Sequence, residues 1–193
     1  MPREAIFNKE KVVESAKNVF WLKGYNATSM QDLVDATGLN RSSIYNTFGN
    51  KMNLFQETLN LYQKEGSGFF EVLIHSNLNG LKSISTVFER TLELMINDQE
   101  RKGCMFINCH TEMGNQNIQL NNITSKNQEL LVSHFSTMVK KGQKDGSISL
   151  KQNSDELAIY LASSFQGFRI TGMNTTNQKS LVSIIENILN TIE

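Results

Sequence analysis

Pro2 is the only proline in this chain of 193 residues, so every segment beyond the N-terminus can run as an unbroken helix. The alternation of β-branched residues that marks strands is sparse, and apolar residues recur instead at three- and four-residue spacing. An all-α fold is expected. The length accommodates a small unit beside a larger, core-bearing one, since domains begin at roughly 50 residues. Lys plus Arg and Asp plus Glu number 19 each, and residues 1–60 carry seven basic and six acidic groups. That balance excludes a protein that coats nucleic acid through bulk charge. No run is long and apolar enough for a membrane span, and the N-terminus lacks the apolar core of a signal peptide, so a cytoplasmic location without a membrane partner is expected.

Residues 28–51, TSMQDLVDATGLNRSSIYNTFGNK, read as a helix, a glycine turn and a second short helix. Thr28 or Ser29 can cap the first, each with a reciprocal acceptor three residues on, Gln31 or Asp32. Met30, Leu33 and Val34 form its inward stripe, Ala36 permits close approach of the next helix, and Gly38 supplies the positive φ of a sharp turn. In the second helix Ile44 and Phe48 share the buried face. Ser42 and Asn46 point the opposite way, Ser43 and Tyr45 lie on the flanks, and Arg41 occupies the first turn. A face of short hydroxyls, an amide and one guanidinium suits the major groove, where such groups reach base edges and phosphates. An ordinary polar surface helix has a similar face, so the whole cassette decides.

The cassette is dense and ordered. An opening helix ends in Phe20, Gly24 and Tyr25; Ala27-Thr28-Ser29, Thr37-Gly38-Leu39 and Ile44-Tyr45-Asn46-Thr47-Phe48 follow, and then Lys51 with Leu54-Phe55. In this, residues 8–55 resemble the DNA-binding domain of TetR/AcrR-type transcriptional regulators. The family's commonest recognition helix ends Tyr-x-Tyr-Phe with a proline soon after; here Thr47 and Gly49 stand at those places, which bears on the bases read rather than on the class. The resemblance implies that Thr28, Tyr45 and Lys51 grip phosphates and that Arg41, Ser42, Ser43 and Asn46 are the base readers. It implies a repressor on a palindromic double-stranded operator, dimerised through its last two helices into a four-helix bundle and released by a small molecule or a redox or electrophile signal. The alternative is a helical ligand-binding or adaptor protein whose helix-turn-helix no longer reads DNA.

The expected organisation is a three-helix DNA-binding domain at 1–50, a linking helix at 51–65 and a helical regulatory and dimerisation domain at 66–193. The opening helix runs from an Asn8 cap to Gly24, burying Val12, Val13, Ala16, Val19 and Phe20, with Trp21 and Leu22 beside that stripe as domain packing. The linking helix carries Met52, Phe55, Leu59 and Tyr62 and weakens at Glu65-Gly66-Ser67-Gly68, consistent with a bend or a loosely packed stretch. Further helices are expected near 81–98, 103–113, 118–143, 154–173 and 177–192. The last two have apolar faces, Leu157, Tyr160, Leu161, Phe165 and Phe168 in one and Leu181, Ile184, Ile185, Ile188 and Ile192 in the other. These fit a monomer core or a dimer seam, and the dimer is favoured.

Phe88, Leu92, Met95, Phe106, Met113, Phe135 and Met138 form a polarizable apolar set suited to a hydrophobic ligand cavity, although core packing needs similar residues. Arg169 sits in an otherwise apolar helix and needs an acidic partner: a ligand carboxylate, Glu112, or a glutamate across the dimer, with structural pairing favoured. Lys102-Gly103-Cys104-Met105-Phe106-Ile107-Asn108 resembles the sixth-helix signature of a branch of the same family in which some members sense oxidants or electrophiles. Cys104, at a helix start beside Arg101 and Lys102, is the candidate redox sensor, against plain burial of a small residue. A Cys104–Cys109 bridge is disfavoured because residues five apart on a helix diverge by about 140°. Cys104, Cys109 and His110 share no helical face, so no metal site is expected. Without a phosphate loop, a nucleotide-binding fingerprint or a nucleophile elbow, neither a cofactor nor an enzyme activity is expected.

Overall fold

A computed structural model describes residues 7–175 and 177–193. Among them the chain forms nine helices: α1 Lys9–Ala27, α2 Met30–Thr37, α3 Arg41–Phe48, α4 Lys51–Ile74, α5 Gly80–Asn97, α6 Met105–Met113, α7 Ile118–Asp145, α8 Ser154–Asn174 and α9 Gln178–Asn190. Asparagine punctuates them. Asn8, Asn40, Asn50, Asn79, Asn117, Asn153 and Asn177 each cap a helix by accepting a hydrogen bond from a first-turn backbone N–H. Each such cap stabilises its helix by about 1 kcal/mol.

The N-terminal unit is built by α1, α2 and α3 packed on the first half of α4. Ala16, Phe20, Leu33, Ile44, Leu54, Phe55 and Leu59 are its centre, all at most 2% exposed, and each large side chain among them contributes about 1.5–3 kcal/mol by leaving water. Ser29 and Asp32 close a capping box on α2. At its far end Gly38 adopts φ 69° and donates its N–H to Val34 O at 2.9 Å, which turns the chain sharply into α3. Ala36 is exposed and Leu22 is 51% exposed, so neither performs the packing expected of it. α4 continues through Glu65–Gly68 to Ile74 as one helix, past the expected end of the linking helix at residue 65. The glycines there face open space. Helix continuity is maintained because flanking residues are anchored on both sides, by Leu59 and by Phe70 and Leu73.

The second core gathers α5, α7, α8, α9 and the end of α4 around Phe88, Phe135, Met138, Leu161, Phe165 and Phe168. α6 belongs to neither half alone. Its Met105, Phe106, Cys109 and Met113, with Leu120 of α7, pack into the N-terminal cluster. The apolar faces expected to form a dimer seam are core in the single chain: Leu157, Leu161, Phe165, Phe168, Leu181, Ile185, Ile188 and Ile192 are all buried, because α5 and α7 cover them. What α8 presents to solvent is a different stripe, with Ile159 and Ile170 at 59% and 44% exposure, Ser163 and Gly167 between them, and Tyr160 alongside.

Candidate nucleic-acid interface and effector cavity

α3 is pinned from below by Ile44 and Phe48, which are 0% and 6% exposed, and from its start by Asn40. The Asn40 side-chain oxygen accepts the Ser43 N–H at 2.8 Å and the Ser42 hydroxyl at 2.7 Å. With the inner face fixed, Arg41, Ser42, Tyr45 and Asn46 are left exposed on one continuous outer surface, and Ser43 is half-buried beside them. Lys51 opens α4 next to this face. Its ammonium lies 4.4 Å from the centre of the Tyr25 ring, and burial there holds its pKa below the usual lysine value, against the opposing pull of Glu112 and Asp32. Thr28 corrects the expectation. It is buried, and its hydroxyl donates to Gly24 O at 2.6 Å, so the side chain is turned away from any phosphate; the exposed neighbour is Ser29, which caps α2.

A cavity of about 1200 Å³ lies among α1, α4, α5, α6, α7 and α8. Its walls are largely aromatic: Trp21, Tyr62, Phe69, Phe70, Phe106 and Phe165. Trp21 meets Tyr62 edge-on at 5.0 Å and donates its indole N–H to Gly103 O at 3.1 Å. Lys102, held by Asp98 and Glu100 at 3.0 and 2.6 Å, stands 5.4 Å over the Trp21 ring at the rim. His134 stacks on Phe70 at 4.8 Å, and burial pushes its pKa down although Glu71 pulls the other way. Desolvation pushes the Tyr62 hydroxyl up to about 12, so it is a neutral phenol at physiological pH.

Of the residues expected to line a ligand site, Met95, Phe106 and Arg169 reach the cavity, together with Cys104. Phe88, Leu92, Phe135 and Met138 instead fill the second core, where rings of α5, α7 and α8 interlock, and Met113 is buried in the N-terminal cluster. Glu112 is not the partner of Arg169. Its carboxylate accepts the backbone N–H groups of Tyr25 and Asn26 at 2.8 and 2.7 Å. Arg169 donates to the Tyr62 hydroxyl, has the Phe165 ring 5.6 Å away and lies within hydrogen-bonding reach of Cys104. Cys104 and Cys109 are both buried free thiols, and desolvation raises Cys109 to about 12. Trp21, Tyr62, Phe69, Phe70, His134 and Gln166 are cavity residues that helical spacing did not single out, because each also satisfies an ordinary packing stripe. The residues that did point to it were Met95, Cys104, Phe106 and Arg169, the last an arginine in an apolar helix.

A short helix with a polar outer face, fixed across a glycine turn and joined to a helical body with an aromatic cavity, defines a DNA-binding regulator of the helix-turn-helix class. Residues 12–58 match the family model for bacterial regulatory proteins of the tetR family. The transcriptional repressor ComR of Escherichia coli is 24% identical over 183 residues, 94% of this chain and 87% of its own length. The repressor BdcR of the same organism is 39% identical over 56 residues, 29% of this chain and 28% of its own. The TetR-family regulator CifR, in a cysteine-mutant form complexed with a 26-base-pair double-strand operator DNA, has the same fold at a TM-score of 0.88 and 20% identity, over 100% of both chains. Residues 12–58 thus form a DNA-binding domain of the tetR family of bacterial regulatory proteins, and the chain is a DNA-binding transcriptional regulator.

Proposed function

We propose that this regulator is a repressor that binds a palindromic operator as a homodimer and leaves it when a small molecule with an apolar body occupies the aromatic cavity. The observation that carries the reading is the position of α6, which supplies one wall of the cavity through Cys104, Phe106, Ile107 and His110 and holds the end of α1 through Glu112. Arg41, Ser42, Ser43 and Asn46 are the base-reading groups in this proposal, with Tyr45 and Lys51 on phosphates. Two copies pair through the outward stripe of α8 and the adjoining face of α9. Their α3 helices must then stand about 34–36 Å apart to enter successive major grooves, so a displacement of α6 and α4 that changes the spacing releases DNA. The inducer works by binding the released state more tightly than the DNA-bound one. A gel-shift with the DNA flanking the protein's own gene, repeated in the presence of compounds that raise its melting temperature, tests the reading; no specific shift would sink it.

A second signal is favoured by the placement of Cys104 in the cavity wall beside Arg169 and Tyr62. An electrophile with an activated carbon–carbon double bond admitted there would form a carbon–sulfur bond as its π bond breaks. The electron pair moves to the neighbouring carbon, which takes up a proton in place of the one the thiol gives up. Loss of DNA binding on alkylation that Cys104→Ser abolishes would support it. Alkylation of Cys104 without effect on DNA binding would exclude it.

A further inference from the structure

An arginine keeps its charge in any protein environment, and a guanidinium drawn out of bulk water is ordinarily found against a carboxylate. The other cations at this cavity follow that rule. Lys102 pairs with Asp98 and Glu100, and Lys17, close by, pairs with Glu65 at 2.6 Å. Arg169 does not. Among the described residues it forms no ion pair. Its neighbours are a phenol, a thiol and a phenyl ring, all neutral partners in their ordinary states. No side-chain nitrogen of this group is sealed in the interior without a partner, and Arg169 is part of the cavity lining. The carboxylates that border the same space are committed or turned outward: Glu65 to Lys17, Asp98 to Lys102, and Glu129 exposed.

We propose that Arg169 is the anchor for the anionic head of the effector, and that the cavity takes an apolar molecule bearing a single carboxylate. A planar carboxylate matches the guanidinium fork with two parallel charge-assisted hydrogen bonds. The rings of Trp21, Phe69, Phe106 and Phe165 and the Met95 side chain receive the apolar body. Tyr62, itself in the cavity wall, positions the guanidinium: its oxygen accepts from one terminal nitrogen, which restrains the fork. The inference rests on the cavity being the effector site and names the class of effector.

The test uses the full-length protein and a panel of carboxylates, octanoate, dodecanoate, 4-phenylbutyrate and 2-naphthoate, each beside its neutral primary amide. Calorimetric titration is expected to give at least one carboxylate that binds about tenfold or more tightly than its amide, with the preference lost in Arg169→Gln. A panel in which no carboxylate outperforms its amide overturns the proposal, as does a preference that survives Arg169→Gln. Should that variant fail to fold, the wild-type complex with a carboxylate labelled with carbon-13 at the head group decides by NMR. An arginine partner holds the bound carboxylate charged to lower pH than in free solution, whereas an apolar site without one drives its pKa upward, and the upward shift overturns the assignment. Gel-shifts of the ligand-free protein are run in parallel. Intact operator binding with no carboxylate preference rejects this proposal alone, while carboxylate binding without any specific DNA complex rejects the repressor reading and leaves this one standing.

Discussion

Glu112, in the last turn of α6, accepts the backbone N–H of Asn26 at 2.7 Å while its second oxygen takes that of Tyr25 at 2.8 Å. Gly24, at φ 78°, makes this possible by turning the two following amides in one direction, and a Cβ there would lie 2.7 Å from the carboxylate. Successive N–H groups arranged this way form a small anion cradle. The helix that walls the cavity is thereby tied to the segment that leads into α2. Glu112→Ala is expected to lower stability by about 1.5–3 kcal/mol, the range for a charge-assisted hydrogen bond whose partner is left unpaired. Urea denaturation measures it. A variant with unchanged midpoint would show that the cradle carries no energy. Gly24→Ala should destabilise through both the strained φ and the contact with Glu112.

Among the described residues, Arg41 is the only guanidinium on the reading face. Arg41→Ala is expected to cost about 1–3 kcal/mol of specific binding and to relax preference at one base pair per half-site. Lys51→Ala should weaken all sequences alike and flatten the salt dependence by about one unit of slope per half-site. It should also cost a few tenths to about 1 kcal/mol of stability, because the ammonium rests on the Tyr25 ring. Fluorescence anisotropy against operator and shuffled DNA at several salt concentrations separates the two effects, and equal losses on both DNAs for Arg41→Ala would exclude it as a base reader.

The N-terminal unit was legible in the sequence because each step is local: a cap, a glycine turn, an i, i+4 apolar pair. The helices between residues 80 and 190 were legible for the same reason, each lying within a few residues of its expected span. The cavity was not. Phe88 and Phe165 have the same spacing logic, yet Phe88 is fully buried among other rings and Phe165 borders the open space. Periodicity says which face of a helix is apolar but not whether the facing helices close completely. Thr28 failed for a related reason: a threonine before a helix can cap it or bond back to the preceding turn, and the positive φ of Gly24 brings a carbonyl within its reach.

Asp32 provides a pH-dependent element of the reading unit. Its carboxylate receives Lys23 at 2.7 Å and the Ser29 N–H and hydroxyl, each at 2.8 Å, and these hold its pKa at about 2 against 3.8 for the ordinary group. The native state therefore binds fewer protons than the unfolded chain between those values. The contribution is fully present above pH 3.8 and is lost as pH falls toward about 2. Asp32→Asn should remove this part of the acid limb and leave a shallower decline. Equilibrium denaturation at intervals from pH 5 downward checks it, and an acid limb identical to wild type would show that Asp32 is not linked to folding.

The two thiols should separate by reactivity. Desolvation holds Cys109 protonated to about pH 12, with Glu112 adding to the effect, so at pH 8 it carries almost no thiolate. Cys104 borders the cavity. A small alkylating reagent is expected to modify Cys104 alone in the folded protein and both residues in denaturant, as read by mass spectrometry. Native-state labelling at Cys109 would contradict the burial argument.

The surfaces of α8 give the last prediction. Phe165 is core, in edge-to-face contact with Phe70 and Phe88 at 6.2 and 5.4 Å, so Phe165→Asp should unfold the regulatory core whatever the state of assembly. Ile159 and Ser163 lie on the outward stripe and make no such contribution. Ile159→Glu with Ser163→Glu would place like charges opposite one another wherever two copies pair through this face, since a twofold interface sets each residue against the same patch of its mate. The expected result is a folded monomer by circular dichroism and light scattering, with specific DNA binding lost because one half-site holds too few contacts. A double variant that remains dimeric and binds DNA normally would move the interface off α8.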